Sequence, residues 1–299
     1  MEEILGHLLR FVHYAGLLML FGAAAFFAFA RDWVAHVPIR PLIGAAILMP
    51  LISSGLMALL IAQMMGVSAT ALDAQMIGAI LFGTDMGTAF LVRVCALILG
   101  CIVIAMIGRA KLSFPLAMMF YAIALATLPW SGHAATTEGM LGVFHRANDA
   151  VHLLTAGAWI GAIGLFCYLV PRAQHDPKTV SPATLLASLH SFTPFGVALA
   201  GTVAVTGVVN MELIFGLGNA IAVAQDGYGQ LLMLKIALVG LMLGCAIFNA
   251  RRVRRRVQLR SNDAELLSAL RVSLAAELSF AAMVVASVAI LSMLMPIEL

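Results

Sequence analysis

The chain has 299 residues, 63% hydrophobic and 10% charged, with a mean hydropathy of +1.04 and a formal net charge of +3. This excludes an ordinary soluble domain, because apolar runs long enough to cross a bilayer recur from end to end. No Gly-rich phosphate loop, nucleophile elbow, paired-carboxylate site or nucleic-acid signature is present, so nothing in the residues supports hydrolytic catalysis or a nucleic-acid partner.

In chain order, helices are predicted over residues 5–30, 41–65, 88–108, 114–130, 147–170, 192–215, 230–250 and 272–295. Each can span about 30 Å of hydrocarbon with some tilt. Met1-Glu2-Glu3 is acidic where a signal peptide would be basic, so the first helix reads as a retained span. Prolines punctuate the pattern: Pro38 and Pro41 precede the second helix, Pro115 opens the fourth and Pro129 closes it. Pro171 is expected to end the fifth and Pro296 the eighth. The four cysteines (Cys95, Cys101, Cys167, Cys245) lie within apolar runs and read as packing residues.

Basic residues set the expected topology. Arg31, Arg40, Arg109, Lys111, Arg172 and Lys178 lie in the loops after odd-numbered helices, as does the run from Arg251 to Arg271. The other side holds only Arg10, Arg93, Arg146 and Lys235. By the positive-inside rule both termini face outward, which is the periplasm in a bacterium with two membranes. The arginine run reads as a contact with membrane lipid headgroups.

The halves also resemble each other. Arg10-Phe-Val-His13 is followed by Gly22, and Asp149-Ala-Val-His152 by Gly161 at the same spacing. Ser54-Gly55 matches Thr206-Gly207, Gly87…Arg93 matches Gly229…Lys235, and Leu128-Pro129 matches Met295-Pro296. The expected fold is an all-α integral membrane protein of eight transmembrane helices. It reads as a tandem duplication of a four-helix unit, with repeats over 1–135 and 136–299. An even-numbered repeat keeps its orientation, which puts His13 and His152 at equal depth and the site near the repeat interface.

The stretch from Trp130 to Gly161 gathers the chemistry. Ionisable groups at the edge of a bilayer core are costly, so they mark candidate sites. On a helix, His145, Asp149 and His152 share one face, and Trp159 continues the stripe. His13, His133 and His152 are the candidate metal ligands, since neutral imidazole suits copper, zinc, iron and nickel. Met57, Met64, Met65, Met76 and Met86 cluster near the outer ends of the second and third helices. Their thioethers suit Cu(I), although methionine is also common apolar filler. Arg93 and Lys235 either hold an anion or balance carboxylates, or snorkel to the interface. Glu277 lies deep in the last helix with no partner suggested by spacing. It is a candidate for pairing with Arg271, collecting a proton or lining an ion exit. Asn210 and Glu212 read as interface polarity.

Three stretches resemble the copper resistance D (CopD) family of bacterial inner-membrane proteins. They are RFVHYAGLLMLFGAAAF at 10–26, SGHAA at 131–135 with DAVHLLTAGAWIG at 149–161, and TGVVNMELIFG at 206–216 with YGQLLMLKIALVGLMLGCAIFNARR at 228–252. The resemblance implies copper handling, as Cu(I) or Cu(II), with movement from periplasm to cytoplasm and a separate periplasmic CopC-type copper chaperone as partner. It carries the family's histidine positions to His13, His133 and His152, and its acidic position to Glu277. Two alternatives stand beside this reading. His152…Trp159-Ile-Gly161…Tyr168…Pro171-Arg172 also resembles four-helix membrane protoporphyrinogen oxidases, which would make the histidines ligands of haem b in a redox protein. The other is a non-transporting copper-binding or docking protein on the outer face.

Overall fold

The structure is a computed structural model that describes residues 2–259 and 263–294. The described residues form ten α-helices: α1 (Glu2–Phe29), α2 (Arg40–Met65), α3 (Ala74–Gly83), α4 (Asp85–Ile107), α5 (Ser113–Ala126), α6 (Gly139–His175), α7 (Pro182–Phe215), α8 (Ala220–Val223), α9 (Gly227–Leu259) and α10 (Asp263–Leu291). Eight spans are long and apolar enough to cross a membrane: every helix but α3 and α8, with α5 counted together with the turn that carries it on to Ser131. A chain with this many spans must satisfy its backbone hydrogen bonds within each segment, and helices do so.

The later helices run past their apolar windows. α6 begins at Gly139 rather than near residue 147, α7 at Pro182 rather than 192, and α10 at Asp263 rather than 272. Ser181 caps α7 by accepting from the Thr184 N–H at 3.4 Å, with Pro182 at the first helical position. Pro171 does not end α6, which continues through it to His175. The lost hydrogen bond is tolerated inside a packed bundle, as it is at Pro50 in α2 and Pro194 in α7. Pro129 does stop its helix, since α5 gives way to a 3-10 turn at Leu128–Ser131. Pro296 lies outside the described residues.

α1 and α6 form the centre. α1 packs on α2, α5, α6 and α10, and α6 on α1, α5, α7 and α10. In the most apolar part of each span, 61% of α1 is buried against 11% of α9, so α9 lies at the rim. The seam between α1 and α6 closes on glycines. Gly22 seats against Gly157 and Gly161, and a Cβ at Gly22 or Gly161 would collide with the opposing backbone. Gly157-Ala-Trp-Ile-Gly161 is thus a small-xxx-small face that lets two backbones touch without a hydrophobic driving force. Around it, Phe26 meets Phe166 edge-on at 5.2 Å between centroids.

The two halves match in a second glycine pair. Gly87 opens α4 against the backbone of Ile80 and Leu81, and Gly229 opens α9 against that of Val223 and Ala224. In both places a short apolar helix, α3 or α8, folds back tightly on the span that follows.

Candidate functional site

Three cavities among the described residues hold the candidate side chains. Two share Tyr14, Leu128 and Ser292, which places them side by side at one level. The third lies beyond them on the side of Arg251.

The first cavity, about 110 Å³, is built by α1, α2 and α4 and is lined by His13, Ser53, Met57, Met86 and Arg93. His13 is 2% exposed, and its Nε2 shares a hydrogen bond with Ser53 Oγ at 2.7 Å. The other ring nitrogen, Nδ1, is buried without a hydrogen-bond partner. The partner hydroxyl is therefore Ser53, one residue before the Ser54 of the Ser54-Gly55 and Thr206-Gly207 match. Ser54 turns its hydroxyl back to the Pro50 carbonyl at 2.8 Å. Arg93 does not snorkel. It is buried, and it donates from Nε to Thr127 Oγ1 at 2.9 Å and from Nη2 to the Thr127 carbonyl at 3.1 Å.

The second cavity, about 220 Å³, is built chiefly by α6, α7, α9 and α10, and His145, Asp149, His152, Asn210 and Lys235 line it. His152 Nδ1 lies 2.9 Å from Thr206 Oγ1, which lies 2.6 Å from the Thr202 carbonyl. A hydroxyl has one proton to give. If it goes to the carbonyl, His152 must donate from Nδ1, and the Nε2 lone pair of the neutral ring is left for a ligand. Asn148 donates to the Thr206 carbonyl at 2.9 Å and to Asn210 Oδ1 at 2.7 Å, and Asn210 donates to Asp149 Oδ1 at 3.0 Å. Asn210 thus belongs to the cavity wall and is more than interface polarity. His145 is 2% exposed and bonds Thr137 Oγ1 through Nδ1 at 2.9 Å. Arg146 lies 5.7 Å over the Trp130 ring.

Of the other sequence candidates, Met64 and Met65 are exposed (55% and 37%), and neither they nor Met76 line these cavities. His133 opens a 3-10 turn at His133–Ala135, and its side chain lies outside the described residues. Trp159 leaves the histidine stripe and lines the third cavity with Glu277. Glu277 does not pair with the exposed Arg271. The Asn249 amide donates to its Oε2 at 3.4 Å, and the Trp159 side chain is a second hydrogen-bonding neighbour.

Among the described residues no three His, Cys, Asp or Glu side chains converge as a metal site. The first cavity offers a different donor set: one imidazole with two thioethers nearby. His13 and His152 line separate cavities, each tied to a hydroxyl of its own half, so nothing in the geometry supports their clamping one haem.

Ser53, Thr206, Thr127 and Tyr14 were not anticipated as site residues. Ser53 and Thr206 carried a signal, since a hydroxyl recurs in both halves at the helix packed beside a histidine.

Comparison with known proteins gives a consistent result. Residues 1–143 match the family profile described as "Copper resistance protein D-like, N-terminal domain", and residues 186–291 match "Copper resistance protein D". The chain is 33% identical to "Copper resistance protein D" of Pseudomonas syringae pv. tomato, over 99% of this chain and 98% of that one. It is 28% identical to "Inner membrane protein YebZ" of Escherichia coli, over 81% of each. It is also 28% identical to "Copper transport protein CutJ" of Bacillus subtilis, over 46% of this chain and 25% of that protein. No solved structure matches.

Proposed function

The chain belongs to the copper resistance protein D family, and on that premise we propose that it is a multi-pass inner-membrane protein that takes copper from the periplasm and passes it toward the cytoplasm. Copper is here the cargo of a carrier and not the cofactor of an enzyme. The observation that carries the site is His13: one ring nitrogen is held by Ser53, and the other is buried and unpartnered in a cavity shared with Met57 and Met86. Ligating histidines are oriented this way, with the second nitrogen fixed by a hydrogen bond. Imidazole plus thioether is a soft set that favours Cu(I) over harder ions.

Arg93 in the same cavity works against cation binding. A site that must release its ion has to bind weakly enough to let it go, and a fixed guanidinium serves that end. In this reading His152, across Tyr14, takes the copper next, with Asp149 offsetting Lys235. The outward orientation rests on the excess of basic residues at the opposite ends of the helices. Both termini would then face the periplasm, where a separate CopC-type chaperone could deliver copper. The near-symmetric placement of His13 and His152 about Gly22 and Gly161 supports two four-helix repeats divided near residue 135.

The test is metal analysis with an optical spectrum on detergent-purified protein, wild type beside His13→Ala/His152→Ala. Copper near one or two equivalents, lost in the double variant, is the expected outcome. Copper retained in the double variant, or a Soret band, would overturn the assignment.

A further inference from the structure

The third cavity, about 460 Å³, lies between α6, α7, α9 and α10, opens to the exterior past the exposed Val197, Ile247 and Arg251, and is almost wholly apolar apart from its floor. That floor holds Glu277, 2% exposed, and Asn249, 7% exposed. A carboxylate so far from water needs a counter-charge, because an unpaired ion in a bilayer-spanning segment costs several kcal/mol or more. Its hydrogen-bonding neighbours, the Asn249 amide and the Trp159 indole, are both neutral. Asn249 Oδ1, beside it, is buried without a hydrogen-bond partner. Charge and acceptor thus converge at one point, and the position calls for a small positive species.

We propose that Glu277, with Asn249 and Trp159, forms a proton-binding site loaded from the arginine-rich end of α9 and separate from the outer histidine cavities. Arg251 is the other charged group lining this cavity. α6 and α7 contribute Trp159, Ile163, Phe166, Phe192 and Thr193, none of which titrates, and α1, which also packs on α10, contributes nothing. A proton fits better than a metal ion, because two oxygen-bearing side chains in an apolar chamber fall well short of the six or more oxygens a hard cation takes. The wall toward the outer side is thin. Ile160 and Gly207 line the outer cavity, while Trp159 and Ala204 line the inner one. Three residues of helix rise about 4.5 Å.

The site can be read without copper. Chelator-treated, liposome-reconstituted wild-type protein is exposed to dicyclohexylcarbodiimide, which adds to protonated carboxyls in apolar surroundings, at graded pH, and Glu277 is followed by peptide mass spectrometry. The expected result is modification of Glu277 that falls at least tenfold as the pH rises, with His13→Ala behaving as wild type. Modification that is flat with pH, or that occurs only after unfolding in detergent, would overturn the proposal. Suppression by sodium at constant pH would assign a metal cation and overturn it too. An Asn249→Leu profile identical to wild type would remove Asn249 from the site. Because the protein is metal-free throughout, failure here leaves the copper reading untouched, and failure of the copper reading leaves this site standing.

Discussion

Replacing His13 with alanine is expected to abolish high-affinity copper binding, whereas Met57→Leu and Met86→Leu should each weaken it without unfolding the protein. The comparison separates ligand from filler. Leucine and methionine exchange at nearly constant volume, at a cost usually under about 1.5 kcal/mol, so Met57, 6% exposed within the apolar cluster of Ile61, Ile80 and Phe90, keeps its packing. What the exchange removes is sulfur. Ser53→Ala is the intermediate case. It frees the ring without deleting it, and loss of such an orienting partner costs about 10–100-fold in metal affinity. The expected order of loss is His13→Ala first, then the methionine variants, with Ser53→Ala within that range and each fold stable. Competition with a chromophoric Cu(I) chelator measures it. Leucine variants that bind as wild type would return both methionines to the core. Loss in His152→Ala with His13→Ala intact would move the primary site into the second half.

How much of this was legible beforehand depends on what kind of contact is involved. Hydropathy marks lipid and not helix, so it located eight spans yet missed where α6, α7 and α10 begin. Those ends carry polar residues such as His145 and Arg146, and backbone hydrogen bonding has no reason to stop at the hydrocarbon boundary. The Ser54-Gly55 match with Thr206-Gly207 marked the repeat but assigned neither histidine a partner. A shift of one position on a helix turns a side chain by about 100°, which sends Ser54 back to its own helix and leaves Ser53 facing His13. Glu277 was visible as an anomaly, but Asn249 and Trp159 were not visible as its partners. They come from α9 and α6, and no periodicity within one segment reports a contact between segments.

The most damaging single change should be at a residue with no side chain. Gly161→Leu is expected to prevent formation of the folded bundle, and Gly22→Leu likewise. Ordinary overpacking costs about 1–3 kcal/mol because neighbouring side chains can shift. Here the atoms in the way are backbone atoms of α1, or of α6 in the reverse case, and no rotamer change clears them. The two central helices would have to part. That would open the aromatic contact of Phe26 with Phe166 and separate the helices that carry His13 and His152. Gly44→Leu in α2 is the control, since nothing lies within 4 Å of a Cβ there and the same apolar bulk is added. Size-exclusion profiles and thermal melts in detergent should show a stable, monodisperse Gly44→Leu protein and aggregation or a strongly lowered melting point for Gly161→Leu. Equal stability of the two would mean that the seam between α1 and α6 is looser than the glycines require. The link between the two histidine cavities would then have to run through Tyr14 and the surrounding side chains, and not through contact of the two backbones.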